Sequence, residues 1–245
     1  ERQARITESF ATVKAPSTAT RTASRDTAYV KRDILDPASL QSLIAACGDG
    51  PLVIFFALPP AVTMKCVALL KEIKLPPVTR LALEKPFGTD LASAKSFNDL
   101  LTRVVPETDI YRIDHFLGVN TVLNLIGLRF ANRLFQPIWS NEHIERVEFL
   151  YDESLALEGR AGYYDTAGAL RDMIQSHLIQ VLALFAMESI ATLDARELQD
   201  QKAQVMRAIR LWDSDPIAAS RRARYTKGSI DGRKVVDYIK EPGVD

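Results

Sequence analysis

Four side chains have types and positions suited to chemistry: Lys85, Asp114, His115 and His177. Lys85 follows the run Arg80-Leu81-Ala82-Leu83, and Asp114 and His115 follow Asp109-Ile110-Tyr111-Arg112-Ile113. Both runs read as strands of an α/β sheet, and ligands bind where such strands end. An ammonium at that edge can donate to a bound hydroxyl and favours anions. His177 stands among polar neighbours (Arg171, Asp172, Gln175 and Ser176) on a segment that is otherwise apolar. Its imidazole is suited to accept a proton from a reacting hydroxyl. Each residue also has a plain structural reading. His177 is then a packed helix histidine bonded to a backbone group, and Lys85 is an exposed lysine paired with Glu84. Glu153 and Asp172 are then ordinary surface charge.

The elements that must position these groups alternate. Asp36-Pro37 opens a helix, with Asp36 as N-cap and Pro37 at the first helical position, and that helix ends near Gly48. Leu52 to Leu58 is an uninterrupted apolar run, as in a strand buried on both faces, and Pro59-Pro60 ends it. A helix over 61–73, a strand over 78–83, a helix over 90–103 and a strand over 109–113 follow. The order predicts a doubly wound parallel sheet, the later part of a Rossmann-type domain. Before it, residues 1–25 start with an amphipathic stretch (Ile6, Phe10, Val13), then a loop-like 15–20, and 29–32 suits a short strand.

Beyond His115 the texture changes, which places a domain boundary at 113/114: residues 1–113 read as a partial nucleotide-binding domain and 114–245 as a partial α+β domain. A helix-like stretch covers 118–130. Residues 144–151 alternate like a half-exposed strand, 159–164 form a loop, and one long helix covers 166–188. A last helix covers 195–209, and 223–226 suits a strand.

Composition excludes several classes. Lys plus Arg and Asp plus Glu both number 31, so no net field draws in nucleic acid or a membrane surface. No apolar run reaches the roughly 20 residues of a membrane span, and no signal peptide is evident. Cys47 and Cys66 lack metal-ligand spacing, and the reduced pair suits a cytoplasmic chain. No metal is implied, and no glycine-rich dinucleotide fingerprint occurs.

Five segments together resemble the glucose-6-phosphate dehydrogenase family. They are Ala57-Leu58-Pro59-Pro60, Glu84-Lys85-Pro86-Phe87-Gly88, Arg112-Ile113-Asp114-His115-Phe116-Leu117-Gly118, the stretch 128–133 (Leu-Arg-Phe-Ala-Asn-Arg), and 168–177, from Gly168 to His177. The resemblance covers roughly 33–188. It implies a Rossmann-type domain followed by an α+β domain with a large, mostly antiparallel sheet. It also implies that the chain is an internal piece of one about twice as long, without the Gly-rich turn and inactive by itself.

The implied activity is oxidation of D-glucose 6-phosphate at C1 to 6-phospho-D-glucono-1,5-lactone, with hydride passing to NADP, in the pentose phosphate route. His177 matches the family's base and Asp114 the carboxylate that holds it. Lys85 matches the contact to substrate and nicotinamide. His115, Glu153, Asp172 and Asn124 match substrate-binding positions, and Lys85, Pro86, Ala57, Leu58 and Pro59 cofactor-binding ones. A homodimer or homotetramer is the family's usual assembly.

Two positions depart from the pattern. Where the family has His-Tyr-Leu-Gly-Lys, this chain has His115-Phe116-Leu117-Gly118-Val119, without the phosphate-contacting hydroxyl and ammonium. A lost charged contact costs about 1.5–3 kcal/mol, or about one to two decades of affinity. Two other readings therefore stand beside the first: the same chemistry on a different or unphosphorylated sugar, and a non-catalytic dehydrogenase-like assembly protein.

Overall fold

The computed structural model describes residues 2–244, in two compact units that divide between Arg112 and Ile113. In the first unit, α1 (Arg2–Thr12) and α2 (Ser17–Asp26) lead into α3 (Pro37–Ala46). Asp36 caps α3 by accepting the Ser39 N–H at 2.8 Å, with Pro37 at the first helical position. β1 (Leu52–Phe56), α4 (Pro60–Leu70), β2 (Thr79–Glu84), α5 (Leu91–Thr102) and β3 (Ile110–Ile113) then alternate. The strands lie in the order β1-β2-β3, and β1 runs parallel to β2 with Phe56 opposite Leu83.

Leu40, Ile44, Phe56, Val67, Leu70, Leu81, Leu83, Phe97 and Leu101 form the core between helices and sheet. α5 starts with a capping box in which Asp90 accepts from Ser93 N–H and Ser93 Oγ from Asp90 N–H. Gly88 has no room for a side chain, since a Cβ there would fall 2.6 Å from the Ala94 nitrogen.

Three expectations change in this unit. β1 is not buried on both faces: Leu52, Ile54 and Phe56 turn toward the core, while Val53 and Phe55 are more than half exposed. An apolar run alone does not report how many faces are covered. Residues 15–20 are not a loop throughout, because α2 starts at Ser17. It buries nothing and has no side-chain cap, so neither signal marked it. Residues 29–32 form no strand among the described residues, and Tyr29 is exposed.

In the second unit, a 3-10 turn (His115–Gly118) precedes α6 (Asn120–Phe130). α7 (Ala161–Ala169) starts where a loop was expected, after a Glu158-Gly159 turn with both φ values positive. The single helix expected over 166–188 is three pieces: the end of α7, a π-helical run (Leu170–Leu178), and α8 (Ile179–Ala186). Gly168 breaks the first junction at φ 64, ψ 170, a region open almost only to glycine. α9 (Ala195–Ala208) packs on α8, with Asp194 as its N-cap.

Residues 144–151 form no strand, because no partner strand lies alongside them among the described residues; Leu150 is 80% exposed. The antiparallel component is the hairpin β4 (Gly228–Ile230) and β5 (Arg233–Val235), just past the expected 223–226. Its turn is Asp231-Gly232 with both φ positive, the strongest short hairpin signal in a sequence.

Arg129 ties this unit together. Nearly fully buried, it donates to the carbonyls of Leu184 at 2.7 Å and Met187 at 2.6 Å at the C-terminal end of α8. Its guanidinium also lies over Phe130 and Trp139.

Candidate active site

The site forms where the 3-10 turn meets the π-helical run. His177 Nδ1 lies 2.6 Å from Asp114 Oδ1, and the imidazole is 1% exposed. Asp114 Oδ1 also accepts the Phe116 N–H at 3.0 Å, so the turn's own backbone fixes the carboxylate. With Nδ1 held by Asp114, Nε2 carries the lone pair of the neutral ring. The Phe116 ring stacks on the His177 imidazole, centroids 4.2 Å apart and planes 13° from parallel. His115, exposed, meets the same imidazole edge-on at 4.7 Å.

The π-helical run explains how His177 and Asp172 are both buried. In an α-helix, at about 100° per residue, residues five apart point about 140° away from each other. Here the Ser176 hydroxyl donates to the Arg171 carbonyl and the Ile179 N–H to that of Ile174, both five residues back. Residues five apart then share a face, as happens at functional sites.

Asp172 accepts the Tyr163 hydroxyl at 3.0 Å. Burial, with help from Asp172, pushes the Tyr163 phenol up to about 12, so it remains a donor. Glu153 is exposed, 3.5 Å from the Tyr151 hydroxyl, and Tyr151 in turn lies against Phe116. Asn124 is exposed on α6.

The remaining candidates lie in the first unit. Ala57, Leu58 and Pro59 leave β1 immediately after Phe56, and Lys85 and Pro86 leave β2 two residues after Leu83. Since Phe56 and Leu83 are paired, both segments emerge at the same carboxyl edge. Lys85 is half-buried there, and the Lys85-Pro86 peptide bond is cis.

Sequence spacing suggested no metal cluster, yet folding brings ligand atoms of Asp114, His115 and His177 within 4.8 Å of one another. Two of those groups are joined in a direct hydrogen bond, which suits an acid–base pair. Sequence reasoning missed Phe116 as a platform for the imidazole, Tyr163 as a partner of Asp172, and Arg129. The Gly-Tyr-Tyr stretch reads as a loop in the sequence, and Arg129 stands out there only as part of a motif.

The family model for the glucose-6-phosphate dehydrogenase NAD binding domain matches residues 2–124, and that for its C-terminal domain matches 126–245. The chain belongs to the glucose-6-phosphate dehydrogenase family. It is 42% identical to the glucose-6-phosphate 1-dehydrogenase of Zymomonas mobilis over 219 residues, which cover 88% of this chain and 45% of the relative. With that of Gluconobacter oxydans the identity is 45%, over 84% of this chain and 42% of the relative.

The chain therefore spans less than half the length of these curated relatives. The crystal structure of the Mycobacterium avium glucose-6-phosphate 1-dehydrogenase superimposes with a TM-score of 0.76 at 35% identity, over 94% of this chain and 48% of that one. A glucose-6-phosphate dehydrogenase solved in complex with glucose 6-phosphate gives 0.75 at 31% identity, over 89% and 46%.

Proposed function

We propose that this chain serves an enzyme that oxidises D-glucose 6-phosphate at C1 to 6-phospho-D-glucono-1,5-lactone, with hydride transfer to NADP, as in the oxidative pentose phosphate route. The observation that carries the proposal is the buried His177–Asp114 pair. Hydride cannot leave C1 as a carbonyl forms unless the hydroxyl proton has somewhere to go. His177 Nε2 accepts that proton, and Asp114 fixes the tautomer and stabilises the imidazolium that results. Phe116 holds the ring from one face and keeps water from it. Lys85 donates to the substrate hydroxyl, Glu153 and Asp172 orient the sugar hydroxyls together with Asn124, and His115 faces the phosphate.

NADP supplies the hydride acceptor. The residues suited to it are Ala57, Leu58, Pro59, Lys85 and Pro86, since they emerge together at the carboxyl edge of paired parallel strands. No helix among the described residues is long and apolar enough to cross a membrane, and a cytoplasmic homodimer or homotetramer is the setting we propose.

One observation favours a second reading. Phe116 is buried against His177, and Val119 is a partly exposed apolar side chain, so neither offers a phosphate contact. The same chemistry on an unphosphorylated or differently phosphorylated sugar would need none. Steady-state rates of the whole enzyme that this chain serves, with NADP and either glucose 6-phosphate or glucose, decide between the two. A preference for the phosphate ester of about two decades or more supports the first reading. Equal rates move the assignment to the second. No turnover of either sugar by a folded protein that binds NADP overturns both.

A further inference from the structure

The Asp114–His177 pair leaves one atom unaccounted for. Asp114 Oδ1 accepts from both His177 and the Phe116 N–H, but Oδ2 is buried with no hydrogen-bond partner. A buried carboxylate oxygen without a donor is costly unless a positive charge lies near it.

The element that can bring such a charge is α9. Its residues Leu198 and Val205 pack into the cluster that also contains Leu117, from the turn just after Asp114, and Val181 and Leu184 of α8. Lys202 follows Leu198 by four residues and precedes Val205 by three, so it lies on the same stripe of the helix. It is half-buried, an unusual place for a lysine. Burial lowers the basicity of its ammonium, while the negative charge of Asp114 raises it, so the two groups feel each other. The other titratable groups around the pair are His115 on the turn, Tyr151 across Phe116, and Asp172 on the helix that carries His177.

We propose that Lys202 is a positioning residue for the catalytic pair, its ammonium standing on the Oδ2 side of Asp114 and holding the carboxylate ionised and turned toward His177. The inference rests on the reading of His177 as the base. Lys202 does not touch the sugar. It sets the charge of the pair, and thereby the pH at which His177 is ready to accept a proton.

The sign follows from the charges. With Lys202 present, the neutral imidazole and ionised Asp114 have a compensating cation behind them. Without it, the unprotonated pair carries an unbalanced negative charge in a buried place, so the pair takes up a proton at higher pH. The acid limb of kcat then moves up in pH.

The test uses the whole enzyme that this chain serves, with K202M, K202Q and K202R. The imidazole of His177 is titrated by NMR with labelled histidine, and kcat for NADP reduction by glucose 6-phosphate is measured against pH. In both neutral variants the titration midpoint and the acid limb should rise by about half a unit or more. The kcat on the acid limb should fall by about threefold for each half unit of that rise, with KM little changed, and K202R should restore both readouts. An unchanged midpoint in a folded K202M or K202Q overturns the proposal. So does a loss of rate that tracks a lower melting temperature while the midpoint stays fixed. A shifted midpoint in a protein that never turns over the sugar phosphate upholds the positioning role and refutes the functional reading instead.

Discussion

Asp114→Asn is the most direct test of the proposed chemistry, and its size follows from geometry. A 2.6 Å contact between Nδ1 and Oδ1 puts the imidazolium and carboxylate charge centres about 4 Å apart, worth about 4 kcal/mol at an effective dielectric constant of 20. That attraction exists only once His177 has taken the proton, so it acts on the transition state and not on the bound substrate. An amide in place of the carboxylate keeps at most one ordinary hydrogen bond, about 1 kcal/mol. The difference, about 3 kcal/mol, corresponds to about two decades in kcat.

The assay is initial-rate formation of reduced nicotinamide by the whole enzyme that this chain serves, across about pH 5 to 8, roughly the range in which an imidazole titrates. KM for the sugar should change little, because Asp114 is turned toward His177. The acid limb should move to lower pH, since an imidazolium without its counter-charge loses its proton more readily. A D114N enzyme within about threefold of wild type in kcat, or one that loses only KM, would refute the assignment of His177 as the base.

Arg129→Met should lower stability by about 3–5 kcal/mol, because the carbonyls of Leu184 and Met187 lose a buried charged donor; the urea midpoint checks this. Gly168→Ala should cost about 1–3 kcal/mol through its backbone angles alone, read as a drop in melting temperature. Burial raises the Cys66 thiol while Cys47 is exposed, so a thiol reagent at pH 8 should label one cysteine of this stretch in the native state and both in denaturant. The phenol of Tyr163 is raised to about 12. It therefore contributes stability that is fully present below its unfolded value near 10 and is lost as pH rises through 12. Tyr163→Phe should flatten that part of the stability profile.

The first unit was largely legible because its signals are local. Asp36-Pro37 and Pro59-Pro60 mark helix starts, and apolar runs bounded by turns mark β1, β2 and β3. What those runs did not reveal was coverage: Val53 and Phe55 are exposed because a strand's environment depends on what packs above and below it. The second unit was harder. Residues 144–151 alternate as a strand does, yet pairing depends on a partner that the pattern does not contain. The same limit hid the stacking of Phe116 on His177, which joins residues 61 positions apart. His177 and Asp114 come forward through the motifs of the family resemblance, and helical periodicity alone favours a merely packed histidine. The π-helical run was invisible, since Leu170, Ile174, Leu178 and Val181 follow α-helical spacing.

That run makes the stretch between Gly168 and Ile179 sensitive to length as well as to chemistry. Removing one residue from Met173 to Ser176 would let the helix relax to ordinary pitch and would leave Asp172 and His177 four apart, still on one face. Adding one residue there would instead turn everything on one side of it by about 100° relative to the other. Asp172 and His177 would fall out of phase, although both side chains remained in the sequence. Segments without helix or strand, such as 144–157, have no such phase to lose. Tolerance to insertions across this unit should therefore be lowest in the one helix whose pattern looked most regular.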